Sequence, residues 1–280
     1  MKLLVTGATG FIGQHLLPLL IADGYKIIAV ARNRQRAERF PWFDSVDFVS
    51  ADIHKDESAT VLSHGLPDAV IHLAWPGLPD YKNPLHLIET MPAQFRFLSS
   101  LLQSGVKHLL VAGTCFEYGM QEGALSESMP AIPTNPYGIA KNSLFLLLRQ
   151  LQDEFPFVLQ WARLFYTYGE GQNEKSLMTQ LKCAIDNNDH VFNMSLGEQL
   201  RDYLPIDQLA TKLIMLFRES SFDGVINVCS GKPISVRRLV ENYIEFRGSD
   251  IKLNLGYYKY PDYEPLAFWG DNKLFKSIMR

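Results

Sequence analysis

The sequence is short of cysteine, of charge and of long apolar runs, and each shortage removes a class of protein. Only three cysteines occur in 280 residues, Cys115, Cys183 and Cys229. Their number is odd and no two form a C-x-x-C pair, which argues against a disulfide framework or a zinc site and fits a reducing cytosol. The seven histidines (His15, His54, His64, His72, His86, His108 and His190) show no ligand spacing either, so no metal is expected. Charged residues make up 20% of the chain and the formal net charge is -3. That balance offers no basic surface for nucleic acid and lacks the charge excess of disordered chains. No stretch approaches the ~18 apolar residues of a membrane-crossing helix. The opening Met1-Lys2-Leu3-Leu4-Val5 run stops at Thr6-Gly7, too soon for the apolar segment of a secretion signal. A soluble, cytoplasmic protein with no nucleic-acid or membrane partner is expected.

What the sequence does have is apolar mass, 47% of its residues, enough for one large domain with a smaller lobe. Short apolar runs at residues 2–6, 26–31, 46–50, 69–73, 107–112 and 158–163 read as strands. They are nearly continuous in Val, Ile, Leu and Phe, as when both faces of a sheet are covered. Helical patterns at 11–22, 57–64, 84–104 and 135–153 lie between them. The alternation predicts an α/β fold, a doubly wound parallel sheet of the Rossmann type. Beyond residue 165 the regularity breaks, with helices near 175–187, 206–219 and 235–246 and an irregular Tyr- and Pro-rich stretch at 256–269. Residues 1–165 are read as the dinucleotide-binding domain. Residues 166–280 are read mainly as a substrate-binding lobe, with segments such as 225–229 returning to the main sheet.

Residues 6–13 read Thr6-Gly7-Ala8-Thr9-Gly10-Phe11-Ile12-Gly13, between a predicted strand and a predicted helix. Glycines at this turn let a pyrophosphate approach backbone N–H groups at a helix N-terminus. The G-x-x-G-x-x-G spacing is the form typical of short-chain dehydrogenases. Gly7, Gly10, Phe11, Ile12 and Gly13 are therefore candidate cofactor contacts. A ribose-binding acid is expected about 20 residues further on, yet the second strand runs into Arg32-Asn33-Arg34 with no carboxylate before Glu38. Arg32 can hold a 2′-phosphate, which favours NADP(H) over NAD(H); the alternative is a solvated basic loop. Asp52, followed by Ile53, either accepts from an adenine amino group or caps the next helix.

Tyr137-Gly138-Ile139-Ala140-Lys141 sets a phenol and an ammonium at i and i+4, on one helix face. A free tyrosine titrates at about 10, and bringing it to neutrality takes about 4 kcal/mol of differential interaction. A lysine, together with a cationic nicotinamide, can provide that, so that the phenol relays a proton to a sugar oxygen. Thr114 closes the fifth predicted strand, in the crevice where such sheets bind ligands, and its hydroxyl can bond the reacting oxygen. Thr114, Tyr137 and Lys141 are the candidate catalytic set.

Taken together these elements resemble the extended short-chain dehydrogenases of the nucleotide-sugar epimerase/dehydratase family. The glycine motif, Asp52, His72-Leu73-Ala74, Thr114 with Tyr118-Gly119, Tyr137 with Lys141, Arg163 with Tyr168-Gly169, and Arg201-Asp202-Tyr203 all fall in family order. The resemblance implies that Leu73 and Ala74, like Tyr137 and Lys141, meet the dinucleotide. It implies that Arg201 binds the diphosphate of a nucleotide sugar, against the alternative of a salt bridge to Asp202 or Asp207. By the same resemblance, in which such helices pair between subunits, the long apolar helices at 84–104 and 135–153 imply a homodimer.

The departures narrow the reaction. Family dehydratases follow the catalytic Thr with Asp and Glu; here Cys115 and Phe116 stand there, and Glu117 is one place late. Cys115 is also off by one from the position used by epimerase-reductases, and residues 170–174 offer no histidine. The minimum set survives: hydride transfer with one proton relay. That points to an NAD(P)H-dependent reductase of a nucleotide-linked keto sugar, most plausibly a 4-keto-6-deoxyhexose, with an NDP-sugar 4-epimerase as the alternative. Members that sense redox state without turnover typically lose the Tyr or the Lys, and both are present. Trp75, Phe116 and Tyr166 either narrow the sugar pocket or are packing, and Asn193 is a candidate for a phosphate or base contact.

Overall fold

The computed structural model describes residues 1–55 and 58–279. Its centre is a seven-stranded, all-parallel sheet of β1 (Lys2–Thr6), β2 (Lys26–Ala31), β3 (Asp47–Ser50), β4 (Ala69–His72), β5 (His108–Thr114), β7 (Val158–Leu164) and β11 (Gly224–Val228). The spatial order is β3-β2-β1-β4-β5-β7-β11. Chain order reverses between β1 and β4, which opens a crevice at the carboxyl ends of those strands. The stretch between, β6 (Gly123–Leu125), pairs with β14 (Phe268–Gly270) outside this sheet.

Helices cover both faces, which is why the strands are apolar throughout. On one face α1 (Gly13–Ala22) packs Leu16, Leu17 and Leu20 with Leu209, Leu213 and Phe217 of α7 (Ile206–Arg218). On the other, α4 (Met91–Gln103) and α5 (Pro136–Leu151) set Phe97, Leu101, Leu144 and Leu148 against Leu109, Val111 and Trp161. Short helices α2 (Arg34–Ala37), capped by Asn33, and α3 (Ser58–Leu62) follow β2 and β3. The start expected for the latter, Glu57, lies outside the described residues. The single helix expected over 84–104 is divided: a π-helical turn at His86–Thr90 precedes α4. Pro92, in the first turn of α4, has no N–H to give to the turn before it.

The remaining elements build a smaller lobe. It holds β8 (Tyr166–Tyr168), α6 (Leu177–Asp186), β9 (Val191–Asn193), β10 (Leu200–Pro205), β12 (Pro233–Ser235), α8 (Val236–Arg247) and β13 (Lys252–Asn254). Met178, Leu181, Phe192, Met194, Leu239 and Val240 are its core. Most of these strands have three residues, too few for any period to show in the sequence. After β14 the chain returns to the main sheet, where α9 (Lys273–Ile278) packs beside β11 and Phe275 joins the core. Among the described residues no helix is long and apolar enough to cross a membrane.

Candidate active site

The crevice begins at Gly7, whose φ of +70° suits glycine and whose missing side chain is equally necessary. A Cβ there would lie 2.9 Å from the backbone nitrogen of Ala74. Gly10 donates its N–H to the Gly7 carbonyl at 2.9 Å. A Cβ on Gly13 would lie 2.4 Å from that same carbonyl oxygen. The three glycines thus fold the turn flat against β4 and start α1, leaving a cradle of backbone at a helix N-terminus.

A cleft of about 880 Å³ runs along this cradle. Gly7, Gly10, Phe11, Ile12, Gly13, Arg32, Asp52, Ile53, Leu73 and Ala74 all line it, with Trp75 at one side. Arg36 and His54 join Arg32 and Asp52 at the β2–β3 end, and residues 171–175 form the opposite bank. The floor is fixed by a buried chain of polar contacts. Thr6 Oγ1 accepts the N–H groups of Leu73 and Ala74 and contacts His72 Nδ1 at 2.9 Å, while His72 Nε2 meets Gln94 Oε1 at 2.6 Å. Burial, with the Lys141 charge nearby, holds His72 down to about 3, so it is neutral there. Depth, length, a glycine cradle and cationic side chains at one end fit a dinucleotide.

Beyond Trp75 lie the three expected catalytic residues. Thr114 ends β5 and caps a 3₁₀ turn, Cys115–Tyr118, by accepting from Phe116 N at 3.3 Å. Asn135 caps α5 by accepting from Gly138 N. A Cβ on Gly138 would lie 2.6 Å from the Phe116 carbonyl, so α5 is pressed against that 3₁₀ turn. This contact brings Tyr137 beside Thr114. Tyr137 is 7% exposed and Lys141 2%. Lys141 Nζ donates to the Ala112 carbonyl at 2.6 Å.

Burial governs their charges. It lowers Lys141 to about 7, against the pull of Glu117. It raises the Tyr137 phenol far above its usual value, and a hydrogen bond with Thr114 offsets only part of that. In the chain by itself desolvation outweighs the lysine neighbour; the expected acidification draws on the cationic nicotinamide as well. Tyr137 holds its proton at neutral pH.

Glu117 is fully engaged in the interior. Its carboxylate accepts from Arg163 Nε at 2.7 Å, Trp161 Nε1 at 2.9 Å and Thr114 N at 2.8 Å, all in the interior. Cys115 sits in an apolar cluster with Tyr118, Phe165 and Phe268, where burial pushes its thiol up.

Beyond Trp75 the crevice is closed by aromatic rings that the sequence named only in part. Phe116 packs on Tyr81 with centroids 4.6 Å apart, and Tyr81, Trp75 and His86 surround the Tyr137 ring at 5.4–5.8 Å. Residues 260–266 cross over them as a strap. Asp262 pairs with Lys82 at 2.6 Å, Tyr263 lies against Tyr81 and Phe116, and Glu264 takes the Tyr166 hydroxyl and the Arg201 guanidinium. Arg201 is thus paired, but with Glu264 at 2.8 Å and not with Asp202 or Asp207 as the alternative reading had it. Its other nitrogen donates to the Leu200 and Leu266 carbonyls. Asp202 accepts the backbone N–H groups of Ser230 and Gly231. Asn193 is not brought to this cluster; on β9 its Oδ1 accepts from Asn254 at 2.8 Å. Tyr81, Lys82, His86, Tyr263 and Glu264 were missed, because nothing local marks them. Only the Tyr- and Pro-rich composition near 260 signalled an unusual segment.

A doubly wound sheet with a glycine cradle at its switch point and a Thr-Tyr-Lys cluster beyond defines a dinucleotide-binding enzyme class. The sequence model of the NAD dependent epimerase/dehydratase family matches residues 3–229, and the chain belongs to that family. It is 31% identical to the dTDP-6-deoxy-L-talose 4-dehydrogenase (NAD(+)) of Aggregatibacter actinomycetemcomitans, over 96% of this chain and 99% of that one. It is 28% identical to a UDP-glucose 4-epimerase of Halalkalibacterium halodurans, over 86% and 79%. Among solved structures, MoeE5 in complex with UDP-glucose and NAD superposes with a TM-score of 0.83 at 25% identity, covering 100% of this chain and 92% of that one.

Proposed function

We propose that the protein is an NAD(P)H-dependent reductase of a nucleotide-linked keto sugar, acting on an NDP-4-keto-6-deoxyhexose. One observation carries this reading. Thr114, Tyr137 and Lys141 converge beyond the cradle, while the described ionisable side chains around them are engaged elsewhere or kept protonated by burial: Glu117 is bound to Arg163, both His86 nitrogens to Trp75 and the Asp80 carbonyl, and burial holds the protons on Tyr81 and Cys115. Among the described residues such a site has one proton relay and no second free acid or base for elimination or for epimerisation beside the keto group. The 4-dehydrogenase name of the Aggregatibacter relative supports the same chemistry, since a dehydrogenase and a keto reductase are one reaction read in two directions.

The chain's own residues divide the work. Gly7, Gly10 and Gly13 with the α1 N-terminus would hold the pyrophosphate, Leu73 and Ala74 the face of the dinucleotide, and Arg32 and Arg36 a 2′-phosphate. When bound, the dinucleotide supplies or takes up the hydride. Tyr137, kept protonated by burial, gives its proton to the sugar's keto oxygen, and Thr114 bonds the same oxygen. Lys141 offers a positive charge to the tyrosinate left behind. Trp75, Phe116 and Tyr166 wall the sugar and exclude water, and Arg201 meets the diphosphate once Glu264 gives way. Residues 1–165 hold the cofactor and 166–280 mainly the sugar nucleotide. A homodimer forms through α4 and α5, supported by the exposed Leu85, Ile88, Leu146 and Leu147 around them.

The second reading, an NDP-sugar 4-epimerase, is favoured by the epimerases among the relatives and needs the same three residues. Reduced nicotinamide absorbance separates the two. Mixed with NADPH or NADH and an NDP-4-keto-6-deoxyhexose, the protein should consume one reduced cofactor per sugar. Interconversion of 4-hydroxy sugars without net absorbance change would replace the first reading by the second. Tyr137→Phe should cut turnover roughly 100- to 10,000-fold and leave cofactor affinity nearly intact.

A further inference from the structure

We propose that Trp75, locked by His86, is the positioning residue that fixes the Lys141 ammonium beside the catalytic tyrosine. The inference rests on the role given to Lys141 above and adds a residue pair that the role requires. Lys141 Nζ has two neighbours that favour its charge directly, the Ala112 carbonyl at 2.6 Å and the Trp75 ring, whose centroid is 4.0 Å away. A cation over a desolvated indole face is among the stronger contacts of its kind.

The indole is itself held on its edge. Trp75 Nε1 donates to His86 Nδ1 at 3.2 Å, and His86 Nε2, on the far side of the ring, donates to the Asp80 carbonyl at 2.9 Å. His86 is 2% exposed. A Cβ on Gly77 would lie 3.1 Å from His86 Cε1, so the 77–80 loop closes on the imidazole. The chain Asp80–His86–Trp75 therefore sets the plane on which the lysine rests. The facing ionisable groups do not duplicate this. Glu117 acts on Lys141 from a distance and is already bound to Arg163; His72 and Tyr137 are neutral. Among the described residues no carboxylate is bonded to the ammonium, so the ring face supports it together with the Ala112 carbonyl.

Trp75 otherwise reads as a mere wall of the cleft, and a measurement on the whole chain without cofactor or substrate distinguishes the two. Lysine labelled with ¹³C at Cε gives the Lys141 titration by NMR, with Lys141→Arg for assignment. Trp75→Leu should lower the Lys141 midpoint by about one pH unit. Trp75→Phe keeps a ring and should lower it by roughly half as much or less. His86→Leu, which frees the indole edge, should move it in the same direction. An unmoved midpoint in Trp75→Leu, or an equal shift in Trp75→Phe, overturns the proposal. If Trp75→Leu does not fold, an unmoved midpoint in His86→Leu overturns it alone. The reduced-cofactor assay keeps this apart from the reading it rests on: shifted midpoints with no turnover of any keto sugar would uphold the positioning and sink the reductase.

Discussion

The two sides of the site are held by different materials. The cofactor side is backbone: three glycines, a helix N-terminus and the tail of β4, standing open as a cleft. The side proposed for the sugar is side chain: rings from the 75–86 segment, Phe116, Tyr137 and the 260–266 strap, closed upon one another. A backbone cradle is specified by a few adjacent residues and tolerates no bulk. A ring cluster is assembled from distant segments and can rearrange when a substrate enters. Substitutions on the first side should therefore act on binding outright, and those on the second on coupling between strap, nucleotide and stability.

The largest effect should come from Gly13→Val. Its Cβ would meet two carbonyl oxygens, of Gly7 at 2.4 Å and Ala8 at 2.6 Å, and neither can withdraw without opening the turn. Dinucleotide affinity, measured by calorimetry, should fall roughly 1,000-fold. A loss of only a few-fold would show that the cradle is as adaptable as the ring cluster, and the comparison would fail.

Glu264→Gln tests the other side. Removing the charge that faces the buried Arg201 should cost about 3 kcal/mol, roughly 6–10 °C in melting temperature. A nucleoside diphosphate should then stabilise the variant more than the native protein, because the Arg201 charge no longer faces a carboxylate. Equal stabilisation of both would mean that the guanidinium only anchors the strap.

This contrast also explains what could be read from the sequence. The six strands expected up to residue 163, the glycine turn and the spacing of Tyr137 and Lys141 are local patterns; they put Gly7, Gly10 and Gly13 into the cleft that Leu73 and Ala74, implied by the family resemblance, also line. The pairing of Arg201 with Glu264 was not legible, since the nearer Asp202 and Asp207 look like equally good partners. Asp202 is taken instead by backbone N–H groups that no sequence pattern marks. The state of the Tyr137 phenol in the chain by itself was not legible for a related reason. Charge neighbours can be read from i and i+4 spacing, but the depth of burial that overrides them depends on Tyr81, Trp75 and His86 arriving from elsewhere.

Burial has a further consequence on the ring side. Lys141 titrates at about 7 in the folded chain and near 10.4 when unfolded. Between those values the unfolded chain binds a proton that the folded chain does not, so Lys141 adds stability as pH rises and withdraws it as pH falls towards 7. From pH 7 to pH 9 this amounts to about 2 kcal/mol. Lys141→Met should flatten that part of the urea-derived stability profile and raise stability at pH 7. A native profile already flat there would place Lys141 in a wetter setting than its 2% exposure indicates.

The smallest effect belongs to the outer end of the backbone side, where side chains take over again. Arg32 and Arg36 line the cleft beyond β2, and Glu38, the first acid after that strand, pairs with Arg34 at 3.8 Å. Under the proposed NADP(H) reading these arginines would hold a 2′-phosphate, whereas the name of the Aggregatibacter relative carries NAD(+), which has a bare ribose. Both arginines are solvent-exposed, so their charge is screened and each is worth about 1 kcal/mol or a little more. Arg32→Asp should move the ratio of kcat/KM for NADPH over NADH about tenfold towards NADH, and less at high salt. An unchanged ratio would make Arg32 a surface charge and leave the choice of dinucleotide to the cradle, which cannot distinguish the two.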